Sequence, residues 1–271
     1  MAMSINTNAG AMIGLQSLNK INRMLGTTQL RITTGLRING PKDDAATFAI
    51  AQNMRSAMAG TTAVTTNLAL GKSMVSVAID AGKAVAELLT ELKAKSVQAS
   101  QEGLDADSYT ALNADFTSLR DQIDSVISSA EFGGKNLIKS GATSHVVLST
   151  MDGSTITVSA QQIQPVNLGV DAIDVATAAN ASAASIVIDA AINTVSSSLA
   201  AFGSAARRID IQMDFTSQLK DILKHGVANL VEADLAEESA NLQAHQIRQQ
   251  LGVQALAIAN AGPQSFLQLF A

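Results

Sequence analysis

The stretch GLQSLNKINRMLGTTQLRI, at Gly14–Ile32, contains the apolar repeat from which the fold is predicted. Within it Leu18, Leu25 and Ile32 fall seven residues apart, and Ile21 and Thr28 occupy the companion positions. This spacing is typical of a helix that packs against another helix in a coiled coil. The sequence therefore predicts an N-terminal helix that needs a helical partner.

The partner is predicted at the other end of the chain. Residues 1–42 hold five basic side chains and no acidic one, whereas residues 232–271 hold four acidic side chains and one arginine. Opposite charges favour pairing of the two ends, and like-signed ends would repel each other. We therefore expect both terminal segments to form helices that pack together.

The two terminal helices are expected to meet along apolar residues, which form the predicted assembly seam. That seam consists of Leu15, Leu18, Ile21, Leu25, Ile32, Leu235, Leu242, Leu251 and Leu256. The first helix is expected to begin near Ser4 or Asn8 and to end at Thr34. Three glycines weaken it by roughly 1 kcal/mol each relative to alanine, so we expect it to fray in an isolated monomer.

The C-terminal helix is expected to end or kink near Ala261, because Gly262-Pro263 follows. An apolar tail comes next, made of Phe266, Leu267, Leu269 and Phe270. A further hinge or kink is expected at His225-Gly226.

Long helices are predicted between the two ends. One runs from about Ala45 to Ser100 and is capped by Asp43 or Asp44; another follows a turn and is capped by Asp105 or Asp107. A short loop makes these two helices antiparallel neighbours. The predicted core of this rod consists of Leu68, Val75, Leu89, Leu92, Leu112, Phe116, Leu119, Ile123, Ile192, Val195, Leu199, Phe202 and Ile209.

A short β-rich region interrupts the helices. His145–Leu148 and Thr155–Val158 flank Asp152-Gly153, which predicts a hairpin. Ile163 and Pro165–Leu168 are expected to continue as an irregular arm or an edge strand.

The predicted fold is mainly α, an elongated antiparallel helical rod with a small β-hairpin arm and a coiled-coil pair formed by the N- and C-terminal helices. Residues 1–42 and 227–271 are assigned to the terminal coiled-coil domain. Residues 43–134 and 180–226 are assigned to the rod, and residues 135–179 to its arm.

Two long runs carry a resemblance to a known family. INTNAGAMIGLQSLNKINRMLGTTQLRITTGLRINGPKDDAATFAIA, at Ile5–Ala51, resembles the N-terminal region of bacterial flagellins. NLQAHQIRQQLGVQALAIANAGPQSFLQLF, at Asn241–Phe270, resembles their C-terminal region. The short middle of the chain is most similar to that of short flagellins of alphaproteobacteria.

The resemblance implies a structural subunit that self-assembles into the extracellular flagellar filament, with the paired end helices lining the filament core. It also implies export through the flagellar secretion channel without a cleaved signal peptide. The implied partners are other copies of the chain, a secretion chaperone at the C-terminal segment, the export apparatus, and junction and cap proteins.

Two alternatives stay open from the sequence: a hook–filament junction protein of the flagellum, and a cytosolic helical coiled-coil adaptor. An enzyme is the weakest option, because the sequence holds no nucleotide, hydrolase or zinc motif and its three histidines lie far apart. No catalytic, cofactor-binding or metal-binding residue is proposed. The net charge of −5 argues against nucleic acid, and the uninterrupted apolar runs fall short of a membrane span.

Overall fold

A computed structural model describes residues 7–267, with the backbone alone over 262–267. Its elements, in order, are α1 (Ala9–Thr34), α2 (Ala45–Ala99), α3 (Ala106–Ser129), β1 (His145–Leu148), β2 (Thr155–Val158), α4 (Pro165–Leu168), α5 (Ala178–Val231) and α6 (Leu235–Leu267). The predicted fold class, mainly α with a small β hairpin, is confirmed. The described residues form two compact units, a terminal unit of residues 7–56 and 222–267 and a central unit of residues 57–221.

The helices begin and end where the sequence supplies caps. The side chain of Asn8 accepts a hydrogen bond from the N–H of Ala11 at 3.0 Å, which starts α1. Gly35 closes that helix with a φ of 70°, and its N–H donates to the carbonyl of Arg31. The expected start near Asn8 and the expected end at Thr34 are both confirmed.

Asp44 caps α2, and Asp43 has a different role. A carboxylate oxygen of Asp44 accepts hydrogen bonds from the N–H groups of Ala46 at 3.0 Å and Thr47 at 3.1 Å. The hydrogen bond from the Thr47 hydroxyl lowers the pKa of the Asp44 carboxyl below its ordinary value. Asp43 instead accepts a bond from the N–H of Asn39 at 3.0 Å and so closes the turn before the helix.

In the central unit α2 and α5 lie side by side and run in opposite directions. Lys72 pairs with Asp210 at 2.7 Å, and Lys93 forms an ion pair with Asp189. Residue numbers therefore rise along α2 as they fall along α5. These ion pairs are largely exposed, so burial of apolar side chains is the main stabilising term.

The apolar core of the central unit contains every residue predicted for the rod core. Buried there are Leu68, Val75, Leu89, Leu92, Leu112, Phe116, Ile123, Val195, Phe202 and Ile209; partly buried against them are Leu119, Ile192 and Leu199. A buried hydrogen bond from the Ser96 hydroxyl to the carbonyl of Ala181 spans 2.6 Å and ties α2 to the start of α5.

The predicted hairpin is confirmed. The strands β1 and β2 are antiparallel, with His145 opposite Val158 and Leu148 opposite Thr155. The inward side of β1 packs on α2, where a Cβ on Gly71 would lie only 2.6 Å from a γ carbon of Val147. The glycine thus allows the strand to approach the helix closely.

Of the two alternatives expected beyond the hairpin, an irregular arm or an edge strand, the edge strand is wrong. Pro165–Leu168 forms the short helix α4, with Pro165 at its first turn and Gly169 closing it at a φ of 73°. A proline in the first helical turn lacks only an N–H that would have had no partner inside the helix. In the irregular segment before α4, Gln161 donates its N–H to the carbonyl of Leu137 at 2.9 Å, and Ile163 donates to that of Ile138 at 3.0 Å.

Neither of the two positions where a hinge, kink or helix end was expected ends a helix. Helix α5 continues through His225-Gly226 to Val231, and a Cβ on Gly226 would collide with the Cε of Met54. That glycine therefore gives a close contact within the terminal unit. Helix α6 continues through Pro263 to Leu267. Of the apolar tail, Leu269 and Phe270 lie outside the described residues, as do the side chains before them.

One described helix, α5, is long and apolar enough to cross a membrane by length and composition alone. The expectation that the chain has no run long enough for a membrane span was based on uninterrupted apolar residues alone. The alanines of α5 raise the mean hydropathy of that helix. Its Ile188, Val195, Phe202 and Ile209 are buried in the core of the central unit. Protein thus covers one face of this helix, whereas Ile186, Ile211, Phe215 and Ile222 are exposed.

The contact between Gly71 and Val147 predicts opposite effects for two glycine substitutions. Gly71→Ala should lower the free energy of unfolding by about 1–3 kcal/mol, because Val147 is buried on a strand and cannot move aside. Gly203→Ala should raise it by up to about 1 kcal/mol, because no heavy atom lies within 4 Å of its Cβ position. Urea unfolding followed by circular dichroism measures both, and equal stabilisation by the two changes would contradict the packing argument.

Candidate functional site

The terminal helices α1 and α6 pack against each other along most of their length. Asn8 reaches Ala259, Asn22 accepts a hydrogen bond from Gln249 at 2.7 Å, and Arg31 reaches Glu238. Numbers rise on α1 as they fall on α6, so the pair is antiparallel. The predicted pairing of the two chain ends is confirmed.

The face that α1 turns toward α6 follows the predicted heptad. Its half-buried or buried positions are Ala11, Gly14, Leu18, Ile21, Leu25, Thr28, Arg31 and Ile32. Four of the predicted seam residues, Leu18, Ile21, Leu25 and Ile32, lie on this face. Leu15, which is 50% exposed, lies outside it.

The face that α6 turns toward α1 consists mostly of small and polar residues. Its positions are Glu238, Leu242, His245, Gln249, Gly252, Leu256 and Ala259. Only Leu242 and Leu256 of the predicted seam lie here, whereas Leu235 and Leu251 are more than half exposed. Apolar residues occur all around α6, so the pattern of its sequence does not single out the inner face.

A glycine allows the two helices to approach closely. A Cβ on Gly252 would lie 3.3 Å from a methyl carbon of Leu18 and 3.9 Å from one of Ile21. The large apolar residues of α1 therefore pack onto the backbone of α6 at this point.

Polar contacts complete the seam. The Arg31 guanidinium donates to the Glu238 carboxylate at 2.8 Å, and Glu238 is 8% exposed. A buried carboxylate needs such a partner, and the opposite charges of the chain ends were the only sequence signal for it. The Nδ1 atom of His245 is also buried, and no residue of the described part of the chain bonds it.

Asn8 joins the start of α1 to α6. Pro263 lacks the backbone N–H that would bond the carbonyl of Ala259 four residues earlier. The Asn8 amide donates to that carbonyl at 2.8 Å, while its oxygen caps α1 at Ala11. One side chain thus caps one helix and supplies the donor that the other lacks. This explains why α6 does not end near Ala261 as the sequence suggested.

Large apolar side chains remain on the outer faces of both helices. The exposed ones are Met12, Ile13, Leu15, Met24 and Leu30 on α1, and Leu235, Ile247, Leu251, Val253 and Ile258 on α6. Exposed apolar patches of this kind mark surfaces that bind another protein or a membrane. Within the described residues, no three His, Asp or Glu side chains lie close enough together to hold a metal ion.

Comparisons with known proteins agree with these features. The family model of the bacterial flagellin N-terminal helical region matches residues 5–143, and that of the bacterial flagellin C-terminal helical region matches residues 186–270. Flagellin FljK of Caulobacter vibrioides is 43% identical over 268 residues, which cover 98% of each chain. The chain belongs to the bacterial flagellin family. A flagellin of Brucella melitensis is 36% identical over 281 residues, covering 98% of this chain and 99% of that one.

Solved structures share the fold at lower identity. Bacillus cereus flagellin is 21% identical with a TM-score of 0.52, covering 55% of this chain and 88% of that one. A putative flagellar hook-associated protein of Vibrio parahaemolyticus is 18% identical with a TM-score of 0.60, covering 70% of this chain and 100% of that one.

This flagellin is a structural subunit that self-assembles into the extracellular filament of the bacterial flagellum.

The bridge made by Asn8 predicts coupling to Pro263. Asn8→Asp keeps an oxygen that caps α1 but removes the amide donor. The filament should lose about 1 kcal/mol of stability per chain and therefore depolymerise at a lower temperature. Asn8→Ala loses the cap as well and should lower that temperature further. Pro263→Ala restores an N–H within α6, so the same Asn8→Asp change should cost less in that background. Thermal depolymerisation of purified filaments measures all four chains, and an equal cost in both backgrounds would contradict the bridge.

Proposed function

We propose that α1 and α6 together form the part of the chain through which neighbouring copies pack in the centre of the filament. The observation that supports this is the division of their side chains. Some large apolar residues, two glycines and several polar bonds fill the contact between the two helices, whereas other large apolar residues face outward on both. Burial stabilises by about 25 cal/mol for each Å² of apolar surface removed from water. Association of copies would therefore add stabilisation from apolar residues that a single chain leaves exposed.

The proposal assigns two roles to the predicted assembly seam. Leu18, Ile21, Leu25, Ile32, Leu242 and Leu256 hold the two helices of one chain together. Leu15, Leu235 and Leu251 contact other copies. The half-buried positions of the first set and the exposure of the second support this division.

We also propose the following division of the chain. Residues 1–42 with 227–271 act as the terminal core domain, residues 43–134 with 180–226 as the rod, and residues 135–179 as its arm. The arm packs on α2 of the central unit through β1, which supports its assignment to the rod. A structural role in the filament needs no catalytic group, and we assign none to the chain.

Two other functions have less support from the described features. A hook–filament junction protein would explain the likeness to the Vibrio parahaemolyticus structure, but at 18% identity that likeness concerns the fold alone. A cytosolic adaptor would keep its apolar faces covered within a closed dimer, and no described feature favours one.

Before assembly, the outward apolar residues of α6 need cover in the cytosol. We assign that cover to a flagellar secretion chaperone that binds the C-terminal segment, followed by passage through the export apparatus without a cleaved signal peptide and by contacts with junction and cap proteins. The exposure of Leu251, Val253 and Ile258 supports the site of the chaperone.

Two single charges, one on the outer face of α6 and one in the contact between α1 and α6, test the roles of the seam. Leu251→Asp should raise the critical concentration for polymerisation about a hundredfold, since a buried charge without a partner costs several kcal/mol, yet leave the α1–α6 contact intact. Leu18→Asp should disrupt that contact itself. Val166→Asp, at an exposed site in the arm, is the control. Sedimentation measures polymer, and normal filaments of Leu251→Asp would show that its side chain does not contact other copies.

Replacing Leu251, Val253 and Ile258 by serine tests the chaperone site without shortening the helix. The triple variant should lose co-purification with the flagellar chaperone of its host, because the apolar surface that the chaperone covers is gone. Serine at the exposed Ile50, Ile211 and Ile222 is the matched control. Unchanged co-purification of the first variant would place the chaperone elsewhere on the chain.

A further inference from the structure

A basic groove lies on one side of the α1–α6 pair, with a volume of about 420 Å³. Its charged lining consists of four cations and one carboxylate: Lys20, Arg23, Arg31, Arg248 and Glu238. Lys20, Arg23 and Arg31 share a face of α1 because residues three or four apart are neighbours on a helix. Arg248 faces them from α6.

Most of this positive charge has no partner among the described side chains. Arg31 is neutralised by Glu238, whereas Lys20, Arg23 and Arg248 form no ion pair with any residue between 7 and 261. Four cations and one carboxylate leave an excess of three positive charges in the groove. A cluster of like charges that is not neutralised internally attracts an anionic partner.

The same unit carries a negative patch, here called the acidic end. It consists of the exposed carboxylates Asp43, Asp44, Glu232, Asp234 and Glu237. A backbone bridge between Leu36 and Glu232 brings the two segments that carry them together. Arg37 and Lys42, in the same region, offset two of these five charges and leave an excess of three negative charges.

The acidic end borders the groove only at the Arg31–Glu238 ion pair, where the charges already neutralise each other. The unpaired Arg23 lies eight residues from Arg31 on α1, about 12 Å at 1.5 Å per residue. No carboxylate of the acidic end forms an ion pair with Lys20, Arg23 or Arg248 among residues 7–261, so these charges are available to another copy. A contact between the two patches of different copies would use different surfaces on each copy, and a contact of that kind that does not close into a ring generates an open helical assembly.

We propose that the acidic end of one copy docks in the basic groove of the next copy in the filament. This inference rests on the assembly role of the α1–α6 pair. The groove then determines the axial register of neighbouring copies, because complementary charges determine orientation and suppress wrong pairings. The outward apolar residues supply the burial, and the charges select which of the possible overlaps is used.

The experiment reverses the charges on each side separately and then together. The groove variant carries Arg23→Glu and Arg248→Glu; the end variant carries Glu232→Lys and Glu237→Lys, which avoids the capping residues Asp44 and Asp234. The combined variant carries all four changes. A control with Lys135→Glu and Lys139→Glu makes the same change in net charge as the groove variant, but in the arm.

Sedimentation of the full-length chains gives the critical concentration for polymerisation. The groove and end variants should each show a rise of at least about tenfold, equivalent to about 1.4 kcal/mol, while the arm control stays near the wild-type value. The combined variant should recover most of the loss, since every reversed groove meets a reversed end. Circular dichroism of the monomers checks that each variant keeps its helices.

Other outcomes overturn the assignment. A groove variant that polymerises like the wild type would show that the groove has no role in assembly, while the filament function would stand. A combined variant no better than the groove variant would show that the groove takes some other anionic group. Failure of the wild-type chain itself to polymerise would count against the assembly role of the pair and not against the charge pairing alone.

Discussion

The antiparallel contact between α1 and α6 is the constraint on which the terminal unit depends. Gly252 allows Leu18 and Ile21 to reach the backbone of α6, and Arg31 meets a nearly buried Glu238 beside them. Six leucine and isoleucine side chains share this contact with glycines and polar groups. The other large apolar residues of the pair are exposed, and in the proposed assembly neighbouring copies of the chain cover them.

The central unit solves the same problem within a single chain. Its helices bury a continuous apolar core, from Leu68 on α2 to Ile209 on α5, and the β1–β2 hairpin closes one part of it. Two kinds of stability thus coexist in one polypeptide. The central unit buries its core within one chain, whereas in the proposed assembly the terminal unit gains further apolar burial from association, which would couple folding of the ends to growth of the polymer.

Features that depend on local pattern could be predicted from the sequence. The bounds of α2, the hairpin around Asp152-Gly153 and the heptad face of α1 all follow from periodicity, caps and turn residues. The inner face of α6 could not be predicted, because apolar residues surround that helix and Leu251 has no signature that separates it from Leu256. The continuation through Pro263 depends on the amide of Asn8, more than 250 residues away in the chain, which no local pattern reveals.

The turn between β1 and β2 provides a place where the chain can be modified. Leu148 lies opposite Thr155, and the N–H of Ser149 donates to the carbonyl of Ser154 at 2.8 Å, so the chain enters and leaves at adjacent points. The cost of closing a loop grows slowly with its length, so a peptide grafted after Gly153 leaves the helices undisturbed. Since the chain has no cysteine, a cysteine at this turn would be a unique chemical handle, repeated once for every subunit along a filament.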